Sequence, residues 1–129
     1  SHPLVSQVLV VGDARPCVGA LITLDAEMLP LWLSSHGLEE ITVVDAAQDP
    51  RVRAALERAV ARTNEAVSRA ESIRTFEVLP TDFTVANGLL TPSLKVRRAE
   101  AEKRFAAEID ALYTRTPLVP STTASPSQD

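Results

Sequence analysis

The amino-acid sequence predicts a small α+β domain, in which a short sheet of about three strands packs against helices. Short apolar runs rich in β-branched residues and bounded by Gly or Pro are typical of strands, and the chain has three, at residues 6–12, 17–24 and 73–79. Apolar residues at helical spacing occur between and after these runs. Because the first two runs are apolar nearly throughout, we expect helices to cover both faces of the pair.

Length and composition limit the classes of protein to consider. The 129 residues suffice for one hydrophobic core and are too few for two. A net charge of −4, from 13 basic and 17 acidic residues, indicates neither a nucleic-acid partner nor a polybasic membrane patch. The lone Cys17 excludes an internal disulfide, and no apolar run is long enough for a transmembrane segment. These features favour a protein of a reducing compartment.

The first half of the chain is predicted to contain a hairpin and two helices. Four turn-prone residues, 13–16, separate the first two runs and favour an antiparallel hairpin. Asp25 can cap a helix that ends near His36, although Pro30 favours a start closer to Leu29. Residues 41–44 are β-branched and predict a brief extended piece or a connector. Asp49 followed by proline predicts the start of a helix over residues 50–69.

The second half adds the third strand, a loop and a final helix of roughly four turns. The periodic apolar residues of that helix are Ala101, Phe105, Ile109 and Leu112. Beyond them, residues 117–129 are rich in Pro, Ser and Thr without periodicity, which predicts a polar, flexible tail.

The loop at residues 87–98 is the most distinctive part of the sequence. Asn87-Gly88 and Thr91-Pro92 are turn formers, because glycine tolerates positive φ and proline restricts φ to about −65°. Lys95 follows them and is one of two lysines in the chain. A compact ammonium group at the end of a stiffened loop suits delivery to an anion. The alternative is an ordinary solvated lysine in front of a helix.

Phe83-Thr84, followed by Asn87-Gly88-Leu89-Leu90-Thr91-Pro92-Ser93-Leu94-Lys95-Val96-Arg97-Arg98, resembles the last core motif of the long-chain fatty-acyl-CoA synthetases. These enzymes belong to the acyl-adenylate-forming (AMP-binding) superfamily. Long-chain members typically carry Asn-Gly-x-Leu-Thr-Pro-Thr-x-Lys-x-Lys-Arg, so Ser93 and Arg97 are mild departures. The similarity extends from residues 2–5 to residues 109–113 and so covers most of the chain.

The resemblance implies that residues 1–116 are the C-terminal lid domain of a long-chain fatty-acid–CoA ligase, a fragment without the large N-terminal domain, the hinge and the first hairpin. The expected partners are that adenylation domain, a long-chain fatty acid, ATP with Mg²⁺ (bound mainly by the N-terminal domain) and CoA. Lys95 is the expected catalytic residue, and no residue here is expected to bind a metal. The residues expected to support the loop are Asn87, Gly88, Thr91, Pro92 and Ser93.

Several alternatives stay open at this stage. Arg97 and Arg98 are candidates for phosphate or interdomain contacts, or are solvated charges on the first turn of the final helix. The acyl group is expected to pass to CoA, whereas a fatty-acyl-AMP ligase would pass it to a carrier protein. A non-catalytic stand-alone binding or regulatory module is a third interpretation. We expect a cytoplasmic location, with peripheral membrane association of the intact enzyme left open.

Overall fold

The computed structural model describes residues 2–114. It contains a three-stranded mixed sheet and five α-helices, which confirms the predicted α+β class. In chain order these elements are β1 (Val5–Val11), β2 (Val18–Leu24), α1 (Leu29–Ser35), α2 (Val43–Gln48), α3 (Pro50–Asn64), β3 (Ile73–Val78), α4 (Arg98–Arg104) and α5 (Ala106–Leu112). The predicted tail at residues 117–129 lies outside the described residues.

The sheet has the strand order β1-β2-β3. β1 and β2 are antiparallel and form the predicted hairpin, with Val8 opposite Ile22 and Val10 opposite Ala20. β3 pairs with β2 in parallel, so α1, α2 and α3 together form the crossover between them. β2 is therefore the central strand, and every residue from Gly19 to Leu24 is buried.

Helices pack on both faces of the sheet and create two apolar cores. The first core joins the sheet to the crossover helices, and its largest side chains include Phe76, Leu56 and Trp32. The second core joins the opposite face to the C-terminal helices. It buries the four predicted residues of the final helix, which are Ala101, Phe105, Ile109 and Leu112.

The prediction that both strands of the hairpin are covered on both faces holds for β2 and is wrong for β1. Val8 and Val10 of β1 remain 44% and 42% exposed. They share a sheet face with Ile22 and Ala20, yet β1 is an edge strand and lies beyond the area that the crossover helices cover.

Two helices differ from the prediction because of single polar side chains. Residues 43–48 form a helix rather than an extended piece, since the Thr42 hydroxyl accepts a hydrogen bond from Asp45 N (3.1 Å) and caps the first turn. α3 ends at Asn64 rather than near residue 69. The Asn64 side chain bonds both Ile73 N and Ile73 O, each at 2.9 Å, and so ties the helix end to the start of β3.

The final helix is divided at Phe105, where φ is −108° and ψ is 28°. The hydrogen bonds from Phe105 N to Ala101 O and from Ile109 N to Phe105 O, both 2.9 Å, continue across the break. The predicted apolar face therefore survives, because the bend keeps the same side chains directed into the second core. Among residues 2–114, no helix has the length and apolar composition that crossing a bilayer requires.

Candidate functional site

Lys95 lies on one arm of a tight hairpin. Leu90 and Val96 form an antiparallel bridge, and Thr91 N donates to Lys95 O at 2.8 Å. The connecting residues form a β-turn closed by a hydrogen bond from Leu94 N to Thr91 O at 2.7 Å, with Pro92 at the second position. Thus the loop contains more regular pairing than the sequence predicts, and Lys95 stands opposite Thr91.

The backbone just before Lys95 is in a conformation that favours glycine. Leu94 has φ +67° and is 65% exposed. A left-handed conformation costs a non-glycine residue roughly 1–2 kcal/mol. The residue is held there by the β-turn on one side and by the bond from Lys95 N to Thr91 Oγ1 (3.1 Å) on the other. The sequence does not single out Leu94, because its side chain gives no sign of a positive φ.

The turn that precedes this hairpin is closed by Asn87. Its Oδ1 accepts hydrogen bonds from Thr84 N (3.0 Å) and Leu89 N (3.2 Å), and its Nδ2 donates to Asp82 O at 2.9 Å. The next residue, Gly88, has φ +80°, which glycine adopts without steric cost. Asn87 and Gly88 therefore fix the backbone conformation of this turn.

Two arginines hold this turn from the side of the final helices. Arg97 donates to Gly88 O at 3.0 Å. Arg104, in the last turn of α4, donates to Asn87 O at 2.6 Å and also pairs with Glu100. The sequence gives no sign of this role for Arg104, which lies 17 residues along the chain from Asn87. Only the direction of α4 brings the two together.

The remaining predicted residues are Pro92 and Ser93, which lie in the β-turn, and Arg98, which begins α4. Pro92 and Ser93 are exposed in the β-turn, and the Ser93 hydroxyl lies 3.1 Å from that of Thr91. Arg98 points along α4 and pairs with Glu102 at 3.0 Å. The structure therefore gathers Asn87, Gly88 and Arg97 into one bonded turn, whereas Arg98 takes no part in it.

The Lys95 ammonium is free to meet a ligand. Lys95 is exposed, and none of the ion pairs within residues 2–114 involves it. The side chains of Leu89 and Leu90 are buried in the second core and anchor the base of the hairpin. This arrangement presents a cation on a fixed backbone at the surface, which suits contact with an anion.

The sequence matches the family model for the AMP-binding enzyme C-terminal domain over residues 1–117. The chain belongs to this family. The AMP-binding enzyme C-terminal domain therefore accounts for all the residues that the structure describes, including the Lys95 hairpin.

Relatives of this AMP-binding enzyme C-terminal domain are parts of longer enzymes. It is 47% identical to the long-chain-fatty-acid–CoA ligase FadD15 of Mycobacterium tuberculosis over 89% of this chain and 19% of that enzyme. Identity to the peroxisomal long chain acyl-CoA synthetase 7 of Arabidopsis thaliana is 32%, over 84% of this chain and 16% of the relative. The chain thus spans about a fifth or less of the length of these curated relatives.

The fold of the domain also has solved counterparts. The A-PCP didomain of a carboxylic acid reductase from Segniliparus rugosus, in complex with AMP, superposes with a TM-score of 0.63 at 25% identity. That match covers 87% of this chain and 14% of the other. The fold of this domain is therefore also found within a carboxylic acid reductase that binds AMP.

Proposed function

We propose that this chain is the C-terminal lid domain of an ATP-dependent long-chain fatty-acid–CoA ligase, and that Lys95 assists acyl-adenylate formation. The 47% identity to a long-chain-fatty-acid–CoA ligase supports the assignment of substrate class. The observation that carries the role of Lys95 is its exposed ammonium, which forms no ion pair within residues 2–114, at the end of a hairpin whose backbone is bonded on both arms.

The proposed reaction has two steps that make different demands on the domain. In the first, a fatty-acid carboxylate oxygen attacks the α-phosphorus of ATP, and the bond to pyrophosphate breaks. In the second, the CoA thiol attacks the acyl carbonyl carbon, loses its proton and releases AMP. The first step brings the fatty-acid carboxylate up to the negatively charged phosphates of ATP. A cation placed between them lowers the barrier to adenylation. The second step has no such repulsion.

Lys95 would supply that cation by contacting the carboxylate and the α-phosphate together. At about 4 Å and an effective dielectric constant near 20, one such contact is worth roughly 4 kcal/mol before desolvation is subtracted. Because the ammonium is compact and the loop backbone is bonded at Thr91 and Gly88, little reorganisation is needed when the substrates arrive.

The further assignments at this site are part of the same proposal. Arg97 and Arg98 are assigned phosphate or interdomain contacts, and Arg97 would make them while holding Gly88 O. ATP with Mg²⁺ and the fatty acid are assigned mainly to the N-terminal adenylation domain, and CoA is assigned as the second substrate. Among residues 2–114, no three His, Cys, Asp or Glu side chains are grouped to hold a metal ion. The intact enzyme is proposed to be cytoplasmic.

Use of one small domain in both steps requires it to move. We assign it one orientation that inserts Lys95 for adenylation and a second that withdraws Lys95 for thioester formation, as catalytic lids do. The isolated domain is then expected to be inactive, because the substrates bind elsewhere.

A second candidate function is transfer of the acyl group to a carrier protein instead of CoA. The likeness to the A-PCP didomain of a carboxylic acid reductase favours it. The higher identity to CoA ligases favours CoA. Supplying the intact enzyme with CoA or with an acyl carrier protein, and measuring which one is acylated, separates the two. A stand-alone module would acylate neither.

The role of Lys95 is tested in the intact enzyme by assaying the two half-reactions separately. Pyrophosphate exchange reports adenylation, and thioester formation from supplied acyl-adenylate reports the second step. We expect Lys95→Ala to lower adenylation by about 10²–10³-fold and to leave thioester formation near wild type. Lys103→Ala, which removes the other lysine from the exposed surface of α4, is the matched control. Adenylation at wild-type rate in Lys95→Ala would refute the proposal.

A further inference from the structure

The Asp82 carboxylate connects three separate parts of the chain. Its Oδ2 accepts a hydrogen bond from Ser6 Oγ on β1, and its Oδ1 accepts one from Thr23 Oγ1 on β2, both at 2.6 Å. Oδ1 also accepts from Phe83 N at 2.8 Å. Hydrogen bonds from hydroxyl groups to a carboxylate are short and about twice as strong as neutral ones. Asp82 therefore anchors the segment after β3 to the first two strands.

The two strands are shaped to form this contact. The pairing of β1 with β2 shifts between Val5 and Gln7, so Ser6 has no cross-strand partner at the bulge. The Thr23 hydroxyl accepts from Gln7 N at 2.9 Å while it donates to Asp82. Thr23 is fully buried, and these two bonds satisfy its hydroxyl group. Removal of the carboxylate would leave a buried donor without its partner, which is costly.

Asp82 is also bonded to the loop that carries Lys95. Its carbonyl oxygen accepts from Asn87 Nδ2 at 2.9 Å, and Asn87 Oδ1 in turn accepts from Leu89 N. Leu89 O then accepts from Arg97 N at 2.9 Å, on the arm of the hairpin that follows Lys95. A continuous series of hydrogen bonds therefore runs from the sheet, through Asp82 and Asn87, to both arms of the hairpin.

We propose that Asp82 is a positioning residue for adenylation, which sets the location of the Lys95 hairpin relative to the sheet. This inference rests on the proposed function of Lys95. The Asp82 carboxylate fixes the start of the segment after β3 to the sheet. The Lys95 ammonium acts at the far end of the same segment. A displacement of about 1 Å at a reacting centre can cost a hundredfold in rate. Loss of the Asp82 hydrogen bonds should therefore slow adenylation by displacing the Lys95 ammonium.

The two half-reactions of the intact enzyme distinguish positioning from general support of the fold. We expect Asp82→Ala to lower kcat for adenylation by about tenfold to a hundredfold, with the KM for fatty acid and the rate of thioester formation near wild type. Asp82→Asn keeps an acceptor oxygen and should recover part of the loss. Ser6→Ala removes one of the hydroxyl donors to Asp82 at a half-buried position and should give a smaller defect. It replaces Asp82→Ala as the test if that variant does not fold.

The decisive measurement combines Asp82→Ala with Lys95→Ala. If Asp82 acts through Lys95, the double variant adenylates no more slowly than Lys95→Ala alone. Multiplicative losses, or an equal fall in both half-reactions, would overturn the positioning role and leave the role of Lys95 intact. If Lys95→Ala adenylates at the wild-type rate, the proposed function itself fails, and this inference fails with it.

Discussion

Arg104 donates a 2.6 Å hydrogen bond to the carbonyl oxygen of Asn87, 17 residues earlier in the chain. The guanidinium group also contacts Glu100 within α4 at 3.2 Å, so its position is fixed by its own helix. The turn that precedes the Lys95 hairpin is therefore held by Arg104 of α4 and by the hydrogen bond from Asn87 Nδ2 to Asp82 O. This pair of contacts makes the loop part of the folded domain rather than an exposed connection.

Replacement of Arg104 by alanine should loosen the turn without unfolding the domain. A hydrogen bond to a charged group contributes about 1.5–3 kcal/mol, and the 40% exposure of this side chain places its value at the lower end. We expect adenylation by the intact enzyme to fall about tenfold, with thioester formation unchanged. The neighbouring Lys103→Ala is the control, since Lys103 forms no ion pair among residues 2–114. Equal rates in the two variants would show that Arg104 does not brace the loop.

Gly88 and Gly37 both have a positive φ. A comparison of their alanine variants separates the effect of backbone strain from the effect of position in the loop. Gly88 has φ +80° and Gly37 has φ +68°. A Cβ at Gly37 meets no atom within 4 Å, and one at Gly88 comes no closer than 3.5 Å to Arg104 Nη2. We expect Gly88→Ala and Gly37→Ala each to lower the free energy of unfolding by about 1 kcal/mol, measured by urea denaturation. Only Gly88→Ala should slow adenylation, and a matching loss in Gly37→Ala would assign the effect to stability alone.

The N-terminus of α3 should make stability depend on pH in acid. Asp49 accepts hydrogen bonds from Arg51 N (2.7 Å) and from the Arg51 side chain. The bond from the Arg51 side chain is the main cause that lowers the pKa of Asp49 from 3.8 to about 2. A lowered carboxyl pKa in the folded state adds stability that is complete above the unfolded pKa and is lost as pH falls through the folded value. Stability should therefore decline between about pH 4 and pH 2.

Asp49→Asn keeps the capping oxygen and removes the titration, so urea unfolding of the chain at several acid pH values should show a shallower decline than wild type. Asp49→Ala removes the cap as well and should cost about 1 kcal/mol at pH 7. Asp45→Asn, at an acidic residue in the first turn of α2, is the control. An unchanged slope in Asp49→Asn would rule out this carboxyl group as the source.

The local sequence was enough to predict most of the fold. Apolar runs bounded by Gly and Pro located all three strands, and the Asp49-Pro50 pair located the start of α3. The errors arose where a single side-chain contact outweighed the local propensity of the residues. The β-branched residues 41–44 predicted extended backbone, but the Thr42 cap and the burial of Ala46 in the first core favour a helix. Asn64 ended α3 because its side chain bonds Ile73, nine residues later at the start of β3.

The sequence by itself determined the class of fold and the family motif at residues 87–98, on which the proposal for Lys95 rests, since turn formers, periodicity and a family motif are properties of neighbouring residues. Only the tertiary structure decided how that loop is held. Ser6, Thr23 and Asp82 are separated by 17 and 59 residues of chain and meet because β1 and β2 pair, with a bulge at Ser6, beside the segment that follows β3. Arg104 reaches Asn87 because α4 packs on the second core. Hydrogen bonds between residues so far apart depend on the packing of whole elements, and no local pattern of residues specifies them.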